Sequence, residues 1–228
     1  MAGFFSTDSK LYRFMSKLTD LFKLNFLWLV FSLPIVTLGI STIAAYTVAL
    51  KMAEGQEGYI GGEFLKAFKA NRKQGLVMSF ITIICVWAVY LDFQIFGVTE
   101  ENAYVFLIVG IVAAYVLGFS LLYAYPLLAR YENTVLNTLK NSFRISMKYF
   151  LRSLLLVLLI AFEIAIMFWS IATLILIVIV GPAFVMLTVS SFAMIIFREL
   201  EKVPGTVAEP VSTETSAEEN GGTDSSNE

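Results

Sequence analysis

The sequence has no histidine and only one cysteine, Cys85, among its 228 residues. The missing histidine excludes a histidine-based catalytic or metal site, and a single cysteine excludes a disulfide scaffold. Charge is also scarce, because 15% of the residues are charged against about 25% in an average soluble protein. Hydrophobic residues make up 58% of the chain and the mean hydropathy is +0.78. This composition predicts an integral membrane protein.

Catalytic signatures are also missing. The sequence contains no P-loop, no HExxH, no GxSxG and no CxxC motif. Cys85 lies in the middle of an apolar run, where it reads as a small hydrophobic residue. We therefore expect a protein that is not an enzyme, with no catalytic, cofactor-binding or metal-binding residues and no nucleic-acid partner.

Charge divides the chain into two parts. Residues 203–228 contain six acidic residues, no Lys or Arg and no aromatic residue. Such a segment cannot bury enough apolar surface to offset its ordering entropy. We predict a disordered acidic tail over 203–228, either a solubilising tail or a docking segment, and a membrane domain over 1–202.

Long apolar runs fill the membrane domain. Residues 75–96 and 103–128 are each long enough for one span, and 151–197 is long enough for two. A fifth region, 24–52, is interrupted at Pro34 and Gly39, which break or turn a helix. The sequence leaves open whether this hairpin spans the membrane or is re-entrant.

Basic residues predict the orientation of these segments. Residues 1–23 contain four Lys or Arg, 51–74 contain five and 129–152 contain five, whereas 97–102 contain none. Since basic residues mark the cytoplasmic side, both termini are predicted cytoplasmic and region 24–52 enters and returns at one face. A cleavable signal peptide is the competing interpretation of the N-terminus. The prediction is an all-α bundle of six helices, at about 14–33, 39–54, 62–97, 102–129, 133–170 and 173–200.

A weak internal duplication emerges from the same segments. Ala45 and Tyr46 align with Ala124 and Tyr125, each pair five residues before a basic residue followed by an apolar or aromatic one. Downstream, Phe68 aligns with Phe143 inside a basic amphipathic stretch that leads into a span. The pattern predicts a repeated unit of helix, turn, interfacial helix and return span, as transporter-like folds often contain. The alternative is that any basic interfacial segment beside a span looks similar.

Two groups of residues are candidates for function. The first is a cytoplasmic basic face suited to an anionic leaflet or to a docking partner: Lys66, Lys69, Arg72, Lys73, Lys140, Arg144, Lys148 and Arg152. The second is a set of intramembrane polar or helix-breaking residues: Glu163, Asn25, Pro34, Thr37, Gly39 and Thr42. Glu163 lies about 16 Å along its helix from Arg152, near the bilayer centre, where a carboxylate is costly and faces the bundle.

The opening stretch, residues 14–42, closely resembles the start of the YesL-type family of bacterial membrane proteins. A second stretch matches that family through Glu57, Tyr59, Phe64, Phe68, Asn71 and Gly75. The resemblance covers residues 1 to about 202 and excludes the acidic tail. It implies a multi-pass protein of the bacterial plasma membrane with an accessory role in carbohydrate uptake. The family has no established molecular activity and defines no functional residues to carry over.

Two functions follow as hypotheses. The first is an accessory or scaffold component of a membrane transporter, with the lipid bilayer and transporter subunits as partners. The alternative is a small secondary carrier that uses Glu163 and the hinge from Pro34 to Gly39. The sequence leaves the oligomeric state open.

Overall fold

The computed structural model describes residues 10–56, 58–98, 103–167 and 170–202. The predicted tail over 203–228 lies outside these residues. The described part is built from helices throughout, which confirms the all-α class. In chain order they are α1 Lys10–Ser32, a single 3-10 turn Ile35–Thr37, α2 Leu38–Ala53, α3 Ile60–Ala70, α4 Arg72–Val98, α5 Ala103–Leu122, α6 Ala124–Arg130, α7 Val135–Lys148, α8 Phe150–Met167 and α9 Ile171–Glu201.

Several of these helices are long and apolar enough to cross a bilayer. By length and composition the described residues provide four candidate spans, Ile35–Ala53, Arg72–Val98, Tyr104–Arg130 and Ile179–Glu201. The pair α7 and α8, bent by 99°, would make a fifth. In each of the spans Arg72–Val98 and Tyr104–Arg130, only 11% of the most apolar 18-residue stretch is buried. Both spans therefore expose broad apolar faces suited to lipid. The chain is an all-α multi-pass membrane protein.

Three of the predicted helices are divided in the structure. Predicted helix 62–97 is broken at Asn71, 102–129 at Tyr123 and 133–170 at Tyr149. The second break has a local cause, because Pro126 has no N–H to donate to the carbonyl four residues earlier. Because of the bend at Tyr149, the charged helix α7 runs at 99° to the apolar helix α8.

Helix α2 forms the centre of the bundle. Eleven of its sixteen residues are buried, and it packs against α1, α3, α4, α6 and α9. It approaches α4 closely where glycines from both helices meet. A Cβ atom added at Gly75 would lie 2.6 Å from the Ile40 Cα, and one added at Gly39 would lie 2.6 Å from the Ser79 Oγ. Small residues thus allow the two backbones to approach closely, as in many membrane helix pairs.

Contacts of α1 and α2 place two of their residues at different levels of the bundle. Asn25 bonds to Ile179 and Ala183 of α9, and Glu54 bonds to Arg130, which bonds to Glu201. Ala183 and Glu201 are about 27 Å apart along α9. Asn25 and Glu54 therefore lie at levels separated by almost the thickness of a hydrocarbon core, about 30 Å.

The chain folds back at Pro34. The Oγ atoms of Ser32 and Ser41 lie 2.5 Å apart, and the Trp28 indole donates to Thr42 at 3.1 Å. A continuous helix would separate residues 28 and 42 by about 21 Å, so the end of α1 and the start of α2 lie side by side. The entry and return of this region at one face of the membrane stays a prediction, as does the side on which the termini lie.

The order of elements occurs twice. A long helix, a break, a second helix, an amphipathic helix and a returning helix form α1 to α4, and the same order forms α5 to α8. Tyr46 and Tyr125, the residues that align in the sequence, stack on each other with ring centroids 6.3 Å apart and planes 17° apart. When two units are related by a two-fold axis, a residue near the axis contacts its own counterpart. The stacking of Tyr46 on Tyr125 therefore supports the predicted duplication.

Candidate functional site

A groove of about 950 Å³ opens between α2, the junction of α3 and α4, and the segment that follows α6. Its lining contains five basic residues and two acidic ones. The basic residues are Lys51, Lys66, Lys69, Arg72 and Lys73, and the acidic ones are Glu63 and Glu132. A concave surface lined mainly by one sign of charge focuses the field and concentrates ligands of the opposite sign. We call this surface the basic groove.

The fold of α3 presents its lysines to the groove. One face of this helix buries Ile60, Phe64 and Ala67. The rings of Phe64 and Phe68 also pack on Phe31 of α1, with centroids 5.5 and 4.9 Å from it. Since the apolar face is held against the bundle, the opposite face with its basic side chains is exposed.

Most of the positive charge in the groove is uncompensated. Lys51 pairs with Glu63 at 3.1 Å. Within the described residues the other four basic side chains of the groove have no ion pair, although the Arg72 Nε donates to the Lys69 carbonyl at 3.1 Å. Gln74 donates to the Asn133 carbonyl at 3.1 Å and so ties the start of α4 to the segment before α7.

A charged cluster, the Arg130 cluster, lies beside the groove and was not predicted. Arg130 pairs with Glu54 through Nη1 and with Glu201 through Nε, both at 2.9 Å. The hydroxyl of Tyr131, which lines the groove, donates to the same Glu201 carboxylate at 2.6 Å. Burial, together with this hydrogen bond and the Glu201 charge, raises the pKa of Tyr131 above its usual range, so its hydroxyl stays protonated as a donor. The cluster joins the ends of α2, α6 and α9.

The predicted basic face is split by the structure. Lys66, Lys69, Arg72 and Lys73 line the groove, whereas Lys140, Arg144, Lys148 and Arg152 do not. Arg152 instead pairs with Glu199 at 2.9 Å. Lys148 and Arg152 both lie over the Tyr149 ring, 5.4 Å from its centroid.

The polar residues of the hinge bond within the bundle. Thr37 Oγ1 lies 2.6 Å from the Phe31 carbonyl and 2.8 Å from that of Pro34. Thr42 donates to the Leu38 carbonyl at 2.6 Å and accepts from the Trp28 indole at 3.1 Å. These bonds stay within the hinge and its two helices, so they stabilise the bend instead of facing a solute.

Two further bonds complete the hinge. The Gly39 N–H, near the start of α2, donates to the Ser79 Oγ at 2.7 Å. That hydroxyl in turn donates to the Gly75 carbonyl at 3.0 Å. The polar groups of the hinge are therefore tied to α4 as well as to α1 and α2.

Asn25 is a connection between helices. Its side chain is 1% exposed, donates to the Ile179 carbonyl at 3.0 Å and accepts from the Ala183 N–H at 3.3 Å. In a regular α-helix those two backbone groups pair with each other. They flank Pro182, across which α9 continues unbroken. The Asn25 amide thus supports the helix at its weakest turn.

Glu163, on α8, faces α9. Thr188 of α9 donates to its Oε1 at 2.7 Å. Its Oε2 is buried and has no hydrogen-bond partner within the described residues. The hydrogen bonds described for Thr37 and Thr42 reach α1 and α2 and do not reach α8.

The class defined by these features is an all-α multi-pass membrane protein with a basic groove at one end. Over residues 21–93 the chain matches the model of a family described as "Protein of unknown function, DUF624". That stretch contains the hinge, the close approach of α2 and α4 at Gly39 and Gly75, and all the basic residues of the groove. This is the family of YesL-type proteins, so the match supports the resemblance over that stretch. No curated protein and no solved structure matches the chain.

Proposed function

We propose that this protein is an accessory component of a membrane transport complex and that its basic groove binds an acidic segment of a partner subunit. The observation that carries this proposal is the groove itself, with four basic side chains that have no ion pair within the described residues. Complementary potentials of this kind give specificity and fast association.

The shape of the groove supports a polypeptide partner. Its volume of about 950 Å³ lies at the upper end of the range for small-ligand pockets, about 300–1,000 Å³. Its lining alternates basic side chains with Asn71, Gln74 and Glu132, which suits the backbone and mixed side chains of a peptide. A helix that only touches lipid headgroups needs no such concavity.

The groove and the C-terminus face the cytoplasm in this proposal. The basic residues of 51–74 and 129–152 favour that side. The membrane is the plasma membrane of a bacterium, as the YesL-type resemblance implies. The four basic residues of 1–23 favour the same side for the N-terminus.

Carbohydrate is the cargo that we propose for the partner transporter. This part of the proposal rests on the YesL-type resemblance alone. The hydroxyls of Thr37 and Thr42 bond to backbone carbonyls of their own segment. That arrangement favours a role beside a transporter over direct recognition of a sugar.

Partner capture tests the proposal. Tagged protein purified from native membranes in mild detergent is compared with a Lys69→Glu/Arg72→Glu variant. We expect subunits of a carbohydrate transporter with the parent chain and their loss with the variant. The matched control is Lys140→Glu/Arg144→Glu, which makes the same charge change outside the groove and should keep the partner. Equal recovery with both variants, or no stoichiometric partner with the parent chain, contradicts the proposal.

A small secondary carrier is the second candidate. The observation that favours it is the buried Glu163 Oε2, which has no partner within the described residues and could bind a proton or a cation. A Glu163→Gln variant keeps the shape and removes the charge. A carrier requires Glu163 for solute uptake into vesicles, whereas an accessory protein tolerates the change. Asp92→Asn, near the end of α4, is the matched control.

A further inference from the structure

We propose that the acidic segment 203–228 docks in the basic groove of the same chain and competes there with the acidic segment of the partner. This inference rests on the proposed function only in assigning the same groove as the partner's binding surface. It adds a means of regulation, since the segment would occupy the groove until a partner displaces it.

The first argument is where the segment starts. α9 ends at Glu201, whose carboxylate accepts from Tyr131 at 2.6 Å. Tyr131 is part of the groove lining. Arg130, at the end of α6, holds the same carboxylate at 2.9 Å. The last described turn of the chain is therefore fixed at the rim of the groove, and 203–228 begins beside it.

The second argument is charge. Residues 203–228 contain six acidic residues and no Lys or Arg. The groove lining contains five basic residues and two acidic ones, one of which is already paired with Lys51. The segment and the groove are thus of opposite sign, and Glu201 shows that this rim binds a carboxylate of the C-terminal region.

The third argument is reach. Glu209 is the first acidic residue of the segment and follows Glu201 by eight positions. An extended chain covers up to about 28 Å over that length. A tether of this kind gives effective concentrations of about millimolar, so even weak charge pairs lead to occupancy. The same tether lets a partner of higher affinity replace the segment.

Zero-length carbodiimide coupling of carboxylates to lysines tests the inference on the purified full chain in mild detergent. A cleft lined by one sign of charge concentrates opposite charges by about tenfold or more. We therefore expect amide crosslinks from Glu209, Glu214 or Glu218 to Lys66, Lys69 and Lys73 to exceed those to Lys140 and Lys148 by about that factor. Mass spectrometry of the digested protein identifies each pair.

Two controls separate docking from random contact. At about 1 M salt the screening length falls to about 3 Å, so the preference for groove lysines should disappear. A full-chain variant with Lys66→Gln, Lys69→Gln and Lys73→Gln should not gain equivalent crosslinks at Lys140 or Lys148. Crosslinks spread evenly over all lysines, or a preference that persists at high salt, overturn the inference.

The outcome is distinguishable from a failure of the proposed function. The coupling is done without a partner and reports only on the segment. If groove crosslinks are missing while Lys69→Glu/Arg72→Glu still loses the partner, the inference fails and the proposed function stands. If groove crosslinks form while that variant keeps the partner, the segment docks and the proposed function fails.

Discussion

Asn25 should contribute more to the free energy of unfolding when Pro182 is present than when Pro182 is replaced by alanine. The Asn25 side chain is 1% exposed and makes two bonds to α9 across that proline. Side-chain hydrogen bonds between membrane helices contribute about 0.6 kcal/mol on average and at most about 1.7 kcal/mol. Two such bonds predict a loss of about 1–3 kcal/mol for Asn25→Ala, including the cost of the backbone groups left without a partner.

A double-mutant cycle isolates this contribution. In a Pro182→Ala background the N–H and the carbonyl on either side can pair within α9, so Asn25→Ala should cost less there. The space left by the smaller side chain is common to both backgrounds and cancels in the difference. We expect a coupling free energy of about 1 kcal/mol between the two positions.

Equilibrium unfolding in mixed micelles measures the four free energies of the cycle. Thermal unfolding in detergent gives a second measure, since about 1 kcal/mol shifts the midpoint by about 2–4 °C in a chain of this size. Effects that add within about 0.3–0.5 kcal/mol would refute the reasoning, because residues that share no interaction behave in that way.

Three other predictions follow from the packing, the orientation of the N-terminus and the charged cluster. Gly75→Ala should destabilise by about 1–3 kcal/mol in the same unfolding assay, because its Cβ would lie 2.6 Å from a backbone atom of α2, whereas Gly118→Ala, with no atom within 4 Å, should not. In a Cys85→Ser background, Thr7→Cys should stay protected from a membrane-impermeant maleimide on intact cells, because the basic residues of 1–23 favour the cytoplasmic side, and labelling of that cysteine would contradict this orientation. Since the pKa of Tyr131 is raised in the folded state, its contribution to stability is present below pH 10 and is lost as the pH rises further, so Tyr131→Phe should make the alkaline loss of stability less steep.

The helices and the polar candidates were accessible from the sequence because they depend on local pattern. Apolar runs and the proline at position 34 predicted the helical segments and the hinge. The depth of Glu163 followed from the helical rise, and its neighbour Thr188 lies at a similar depth on α9. Half of the predicted basic face also lines one surface, since Lys66 and Lys69 share a helix face.

The connections between distant segments were not accessible in this way. Nothing local to Asn25 indicates that its amide meets α9 beside Pro182, 157 positions later. A count of basic residues could not single out Arg130. It aligns with Lys51 in the predicted repeat, and each of these two residues lies in the last turn of a helix and pairs with an acidic residue.

The stacked tyrosines have a consequence for the origin of the chain. In a homodimer of a single unit, helix, turn, amphipathic helix and return, one tyrosine would stack on its own copy across the dimer axis. Tyr46 and Tyr125 have that arrangement within one polypeptide. A fusion of two identical genes produces this contact directly. It also frees the halves to diverge, so that the first unit now contributes most of the groove and the second contributes Arg130, to which the last helix is anchored.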